Sequence, residues 1–131
     1  MQYDNFYVSD EAISLDYLKS KNVTTKFVLI NFASKSSLKI IPFFNTIKNE
    51  ELTALLNLFT EFAINLRLDD LLGKLHIVIL KILSQDDNEQ MIIIHDAGFT
   101  NSSIDFLVSN LNLLKHQLQN KSVIVCPNLI Y

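Results

Sequence analysis

Only two glycines occur among the 131 residues, Gly73 and Gly98. A loop that wraps backbone amides around phosphate needs several residues without a Cβ, because side chains block the close approach. This chain has no such run. The stretch "LINFASKS" (Leu29 to Ser36) ends in Lys-Ser but carries Leu29 and Ser34 where glycines would have to stand. A nucleotide-hydrolysing site of the Gly-rich kind is therefore not expected, and neither is a nucleotide cofactor.

The rest of the composition favours a folded domain. Hydrophobic residues make up 49% and charged residues 19%, enough apolar surface to bury a core in one domain spanning 1–131. The net charge of -3 argues against a free-standing nucleic-acid binder, which would carry a basic excess. Cys126 is the single cysteine, so no internal disulfide forms; its apolar setting, "SVIVCP", predicts a buried structural thiol. "MQYDNFYVSDE" is too polar and acidic for a secretory leader, and no apolar run approaches the roughly 20 residues that span a bilayer. A protein inside the cell, away from membranes, is the expectation.

Apolar periodicity alternates between strand and helix. Ser9 with Asp10 and Glu11 reads as a helix start running to Asn22. "TKFVLINF" (25–32) reads as a strand, broken by "ASKSS", and "LKIIPFF" as extended or irregular chain around Pro42. Asn49 caps a short helix through Leu58. "FAINLRL" (62–68) alternates apolar with polar, as a strand does. From Asp69 or Asp70 a helix runs through Leu83, apolar on most of its surface and so covered on more than one side. "QDDNEQ" is a solvated turn and "MIIIH" a buried strand. Ser102 or Ser103 caps a helix to Leu118, Ser102 and Asp105 having the spacing of a capping box. Its buried stripe is Ile104, Leu107, Val108, Leu111, Leu114 and Leu118, and "SVIVC" comes after it as the last strand. Strands apolar on both faces and joined by helices predict an α/β fold, a mainly parallel sheet with helices on both faces.

The stretch "MIIIHDAGFTNSS" (91–103) is the one place where chemistry could sit, and three readings compete for it. It resembles the loop of dual-specificity phosphatases, but Asp96 stands where the thiolate belongs and Asn101 where the arginine would fall. It also resembles the loop of STAS-type domains, with Ser102 and Ser103 as acceptors of a phosphoryl group, although serine caps helices routinely. Either would make the chain a catalytically dead regulatory domain. The third likeness covers about residues 25 to 128. "MIIIHD", a helix and "SVIVCPN" resemble the carboxylate-bearing strand of RecA-like ATPases together with the helix and strand next in that core. "KFVLINFASKSS" is similar to an earlier strand of the same core, and "FTEFAINLRLDDLLGKLHIVILKIL" to the strand, turn and helix between them. The order of these segments carries the resemblance.

A minimal RecA-like core without a phosphate loop is similar to the divergent recombinase paralogues of the Shu complex, most closely over "FAINLRLDDL…LKILS" and "IIIHDAGF". The resemblance implies a non-enzymatic role in homologous recombination and DNA repair in the nucleus. It implies partners as well: other recombinase-paralogue subunits and a SWIM-type zinc-binding subunit, with DNA met through the assembled complex. Asp96, which would hold magnesium through water in an active ATPase, is then a relic or a loop-shaping acceptor.

No cofactor or metal is expected. His76, His95 and His116 lack ligand spacing, and Asp86, Asp87 and Glu89 read as a solvated turn. Lys35, Lys39 and Lys48 form at most a weak basic edge, offset by Glu50 and Glu51. The candidate partner surface lies on the two long helices: Phe106 and Leu113 fall off the main stripe of the second, and Ile77 and Leu80 broaden that of the first.

Overall fold

The computed structural model describes residues 5–31, 39–85, 88–95 and 99–131. Asp96, Gly98, Lys35, Asp86, Asp87 and the serines of "ASKSS" lie outside the described residues. Among the described residues, eleven elements succeed one another along the chain. They are β1 (Phe6–Val8), β2 (Ile13–Ser14), α1 (Leu15–Lys21), β3 (Lys26–Asn31), α2 (Ile40–Asn45), α3 (Asn49–Thr60), α4 (Leu71–Ser84), β4 (Gln90–His95), α5 (Asn101–Leu113), β5 (Lys121–Val125) and β6 (Leu129–Ile130).

Four strands form one parallel sheet in the order β1-β5-β4-β3. The fold is α/β. Register places Ile92 beside Val28 and Val123, and Ile93 beside Leu29 and Ile124. Side chains alternate across a strand, so odd and even positions enter separate layers. Ile92, Ile94, Val123, Val125, Ile30 and Phe6 join the large core beneath α2, α3, α4 and α5. Ile93, Ile124, Cys126 and Leu129 form a smaller cluster on the other face with Ile13, Leu15, Leu18, Phe27, Leu29 and Met91. This is why "MIIIH" shows no polar alternation: both faces are covered. Each fully buried isoleucine contributes roughly 1.5–3 kcal/mol by leaving water.

Helix α4 lies deepest. Gly73, Leu75 through Leu80, Ile82 and Leu83 are all buried, so its apolar surface meets neighbours nearly all round. That has a consequence for the expected partner surface. Ile77 and Leu80 are covered by the chain's own core and offer nothing to a partner. The breadth of the apolar surface comes from helices on several sides, not from an exposed stripe.

Several local expectations need correction. The first helix starts at Leu15, not after Ser9, because Ile13–Ser14 pairs with Leu129–Ile130 and Asn128 Nδ2 donates to the Asp10 carbonyl at 2.7 Å. Ser14 is the cap, accepting from the Tyr17 amide at 3.3 Å. Pro42 does not keep "IIPFF" extended. It stands in the first turn of α2, where an amide would have no intrahelical partner, and a proline costs little there. The α5 cap is Thr100 rather than Ser102 or Ser103, its Oγ1 accepting from the Ser103 amide at 3.2 Å. Helix α5 ends at Leu113, and turns carry Leu114 and Leu118 into the core before Asn120 takes a left-handed φ of 64°.

The segment 62–68 is the largest departure. It forms no strand, although Ile64 is buried, Leu66 and Leu68 are half-buried, and the residues between them are exposed. One side of the segment faces the core, yet it joins neither edge of the described sheet, β1 or β3. Ala63, at φ 58°, turns the chain out of α3 and away from the sheet. Alternation here records one-sided burial without a ladder.

Candidate functional site

Ligands of open parallel sheets bind outside the carboxyl ends of the strands, so that edge is where chemistry would be placed. Here β3 ends in Asn31 and β4 in His95, register partners on neighbouring strands. Tyr131 joins them from the far end of the described chain. Asn31 Nδ2 donates to the Tyr131 hydroxyl, and the Tyr131 hydroxyl meets His95 Nδ1 at 2.6 Å. The two rings are tilted against each other with centroids 5.3 Å apart. This cluster can exchange hydrogen bonds with a polar group at the strand ends.

Beside it, Thr100 caps α5 and its Oγ1 lies 3.0 Å from Ser103 Oγ and 3.2 Å from Ser102 Oγ. The hydroxyls are engaged with one another and with the first turn, as helix caps are. Asp96, the carboxylate the sequence singled out, lies outside the described residues. Cys126 comes directly after β5 and is wholly buried; burial pushes its thiol up to about 11, so it is neither nucleophile nor ligand in the folded chain. Among the described residues no three of His, Cys, Asp and Glu come together in a way that would hold a metal ion. Nor is any helix among them long and apolar enough to cross a membrane.

Two clefts lie at the opposite, amino-terminal edge of the sheet. One of about 240 Å³ is lined by Asn22, Thr25, Glu89, Gln90 and Lys121 among others. Another, of about 600 Å³, runs along Ser84, His116, Gln119 and Lys121. Lys121 is buried with its ammonium donating to the Asn88 carbonyl at 2.5 Å and to Gln90 Oε1 at 2.9 Å. Those contacts tie down the turn before β4, a structural duty.

The histidines do not converge. His95 is at the strand end, and His116 is exposed after α5. His76 is fully buried in α4 between the edges and faces of Phe59 and Phe106, with centroids 5.6 and 5.4 Å away. Phe106 and Leu113 are where the sequence placed them, on the outside of α5, 44% and 47% exposed. Seven residues apart, they share one side of the helix at a separation of roughly 10 Å.

Sequence reasoning missed two side-chain relationships, Asn31–His95–Tyr131 and His76–Asn110. A signal existed for the first: the strands "KFVLIN" and "QMIIIH" each hold a four-residue apolar run that ends in a hydrogen-bonding side chain. Pairing them in parallel register aligns Asn31 with His95. Compared with known proteins, the chain matches no family model, no curated protein and no solved structure.

Proposed function

We propose that the chain is a non-catalytic, recombinase-paralogue subunit of a Shu-type complex. It supports homologous recombination and DNA repair in the nucleus by holding other recombinase-fold subunits and a SWIM-type zinc-binding subunit together. DNA is met through the assembled complex.

The observation that carries this reading is the position of β4. It is an interior strand with parallel neighbours on both sides, β3 and β5, and β4, α5 and β5 are consecutive in the chain. A recombinase core puts its carboxylate-ending strand in the middle of the sheet in this way. The exposed pair Phe106 and Leu113 adds a reason for assembly, since two large apolar side chains on one helix face gain by being covered. The scarcity of glycine and the inert Cys126 thiol favour a role in assembly over turnover.

Deleting the gene should sensitise cells to agents that break or stall replicating DNA and lower the frequency of homologous recombination. Asp96→Asn should restore both in full, because the carboxylate does no chemistry. Unchanged recombination after deletion would overturn the reading, and failure of Asp96→Asn to complement would overturn its non-catalytic part.

A further inference from the structure

The buried imidazole of His76 has a use for each of its nitrogens. Nδ1 lies 2.7 Å from the Leu72 carbonyl, which can only accept, so Nδ1 carries the proton. Nε2 is then the bare acceptor, and Asn110 Nδ2 donates to it from α5 at 3.1 Å. Phe59 of α3 and Phe106 of α5 close the remaining sides. Of these walls Phe106 is the most exposed, so water stands just beyond one side chain.

We propose that His76 and Asn110 form a proton-sensitive latch between α4 and α5, closed while Nε2 is bare and released when a proton takes its place. A proton on Nε2 would face the two hydrogens of the Asn110 amide. The contact could then be remade only by turning that amide over, and an imidazolium would still stand among aromatic rings without water. Moving α5 outward past the half-exposed Phe106 relieves both costs by hydrating the ring, at the expense of its packing on the sheet, including the Asn112 Nδ2 bond to the Phe6 carbonyl of β1 at 3.0 Å.

Among the described residues nothing charged nearby offsets this. On α4, Lys74 lies over the Phe44 ring and Lys81 pairs with Glu51 of α3. Glu50 and Glu61 on or next to α3, and Asp105, Lys115 and His116 on or next to α5, make no hydrogen bond or ion pair with the ring, and α2 carries no charged residue. Burial, opposed only by the Leu72 carbonyl, holds the proton affinity of His76 below the ordinary value of 6.5. The closed seam is therefore fully stable above that value and loses stability as the pH falls through it.

Hydrogen exchange of the wild-type protein at pH 7.5 and 5.5, corrected for intrinsic rates, tests the latch. An opening that frees His76 to take its proton at an ordinary value should become more populated over that interval, by up to about tenfold. The α5 amides around Asn110 should lose protection by that factor, through an opening smaller than the one that exposes Ile92–Ile94 of β4. Amides of α1, remote from the seam, should not change. His76→Gln, which can donate and accept in place of the imidazole but does not titrate, should abolish the pH effect. Unchanged α5 protection at pH 5.5, or α5 exchange only together with β4 as the whole molecule unfolds, would overturn the proposal from the wild-type data alone. The same loss persisting in folded His76→Gln would overturn it as well.

Discussion

Gly73 lies against the backbone of Arg67 so closely that a Cβ at position 73 would stand 2.0 Å from the Arg67 carbonyl oxygen. The same carbonyl accepts from the Asp70 amide at 3.2 Å, which folds residues 67–70 back over the first turn of α4. The glycine is thus required by close approach of two backbone segments.

Gly73→Ala should destabilise the protein by about 2 kcal/mol or more, because the clash is with backbone and exceeds the roughly 1 kcal/mol that alanine gains in a helix. Denaturant midpoints of the two proteins measure it. A gain in stability would mean that the turn at 67–70 is not held as described.

Cys126 should be nearly unreactive in the folded chain. Its thiol is buried and pushed up to about 11, so at pH 8 the thiolate fraction is roughly a hundredfold below that of an ordinary cysteine. A chromogenic disulfide reagent should label it slowly in buffer and rapidly in denaturant. Equal rates would contradict the burial of the carboxyl end of β5.

The legibility of the fold tracked burial. "MIIIH" and "SVIVC" were readable as strands because two-sided cover leaves an uninterrupted apolar run, and Phe106 and Leu113 were readable as outward because α5 buries a single stripe. Residues 62–68 were not, since Ile64, Leu66 and Leu68 face inward whether or not a neighbouring strand completes the ladder. Ile77 and Leu80 were misjudged for a related reason: a single stripe is the wrong template for a helix covered nearly all round. The Asn31–His95–Tyr131 cluster joins residues 64, 36 and 100 positions apart, a convergence set by sheet order.

ATP should not bind at micromolar concentration. Calorimetric titration should give no saturable heat, since the chain lacks the glycines of a phosphate cradle. Saturable binding that disappears in Asp96→Asn would instead make the carboxylate part of a working nucleotide site.

Charge placed on the outer side of α5 should separate folding from assembly. Leu113→Asp alters a side chain that is 47% exposed, so circular dichroism and cooperative unfolding should survive, whereas Phe106→Asp also removes a wall of the His76 site and should cost stability. Ile77→Asp should fail to fold, because it buries an unpaired carboxylate in the core. If Leu113→Asp unfolds the chain too, the outer side of α5 is core and not surface.

The most direct measurement is the mass and composition of the complex that the protein forms in its native cells, with Leu113→Asp beside the wild type. The account predicts a stable assembly of defined stoichiometry well above the 15.0 kDa of the chain alone, containing recombinase-fold and zinc-binding subunits. The folded Leu113→Asp variant should be released from it. A monodisperse wild-type monomer of 15.0 kDa with no co-purifying subunit would contradict it.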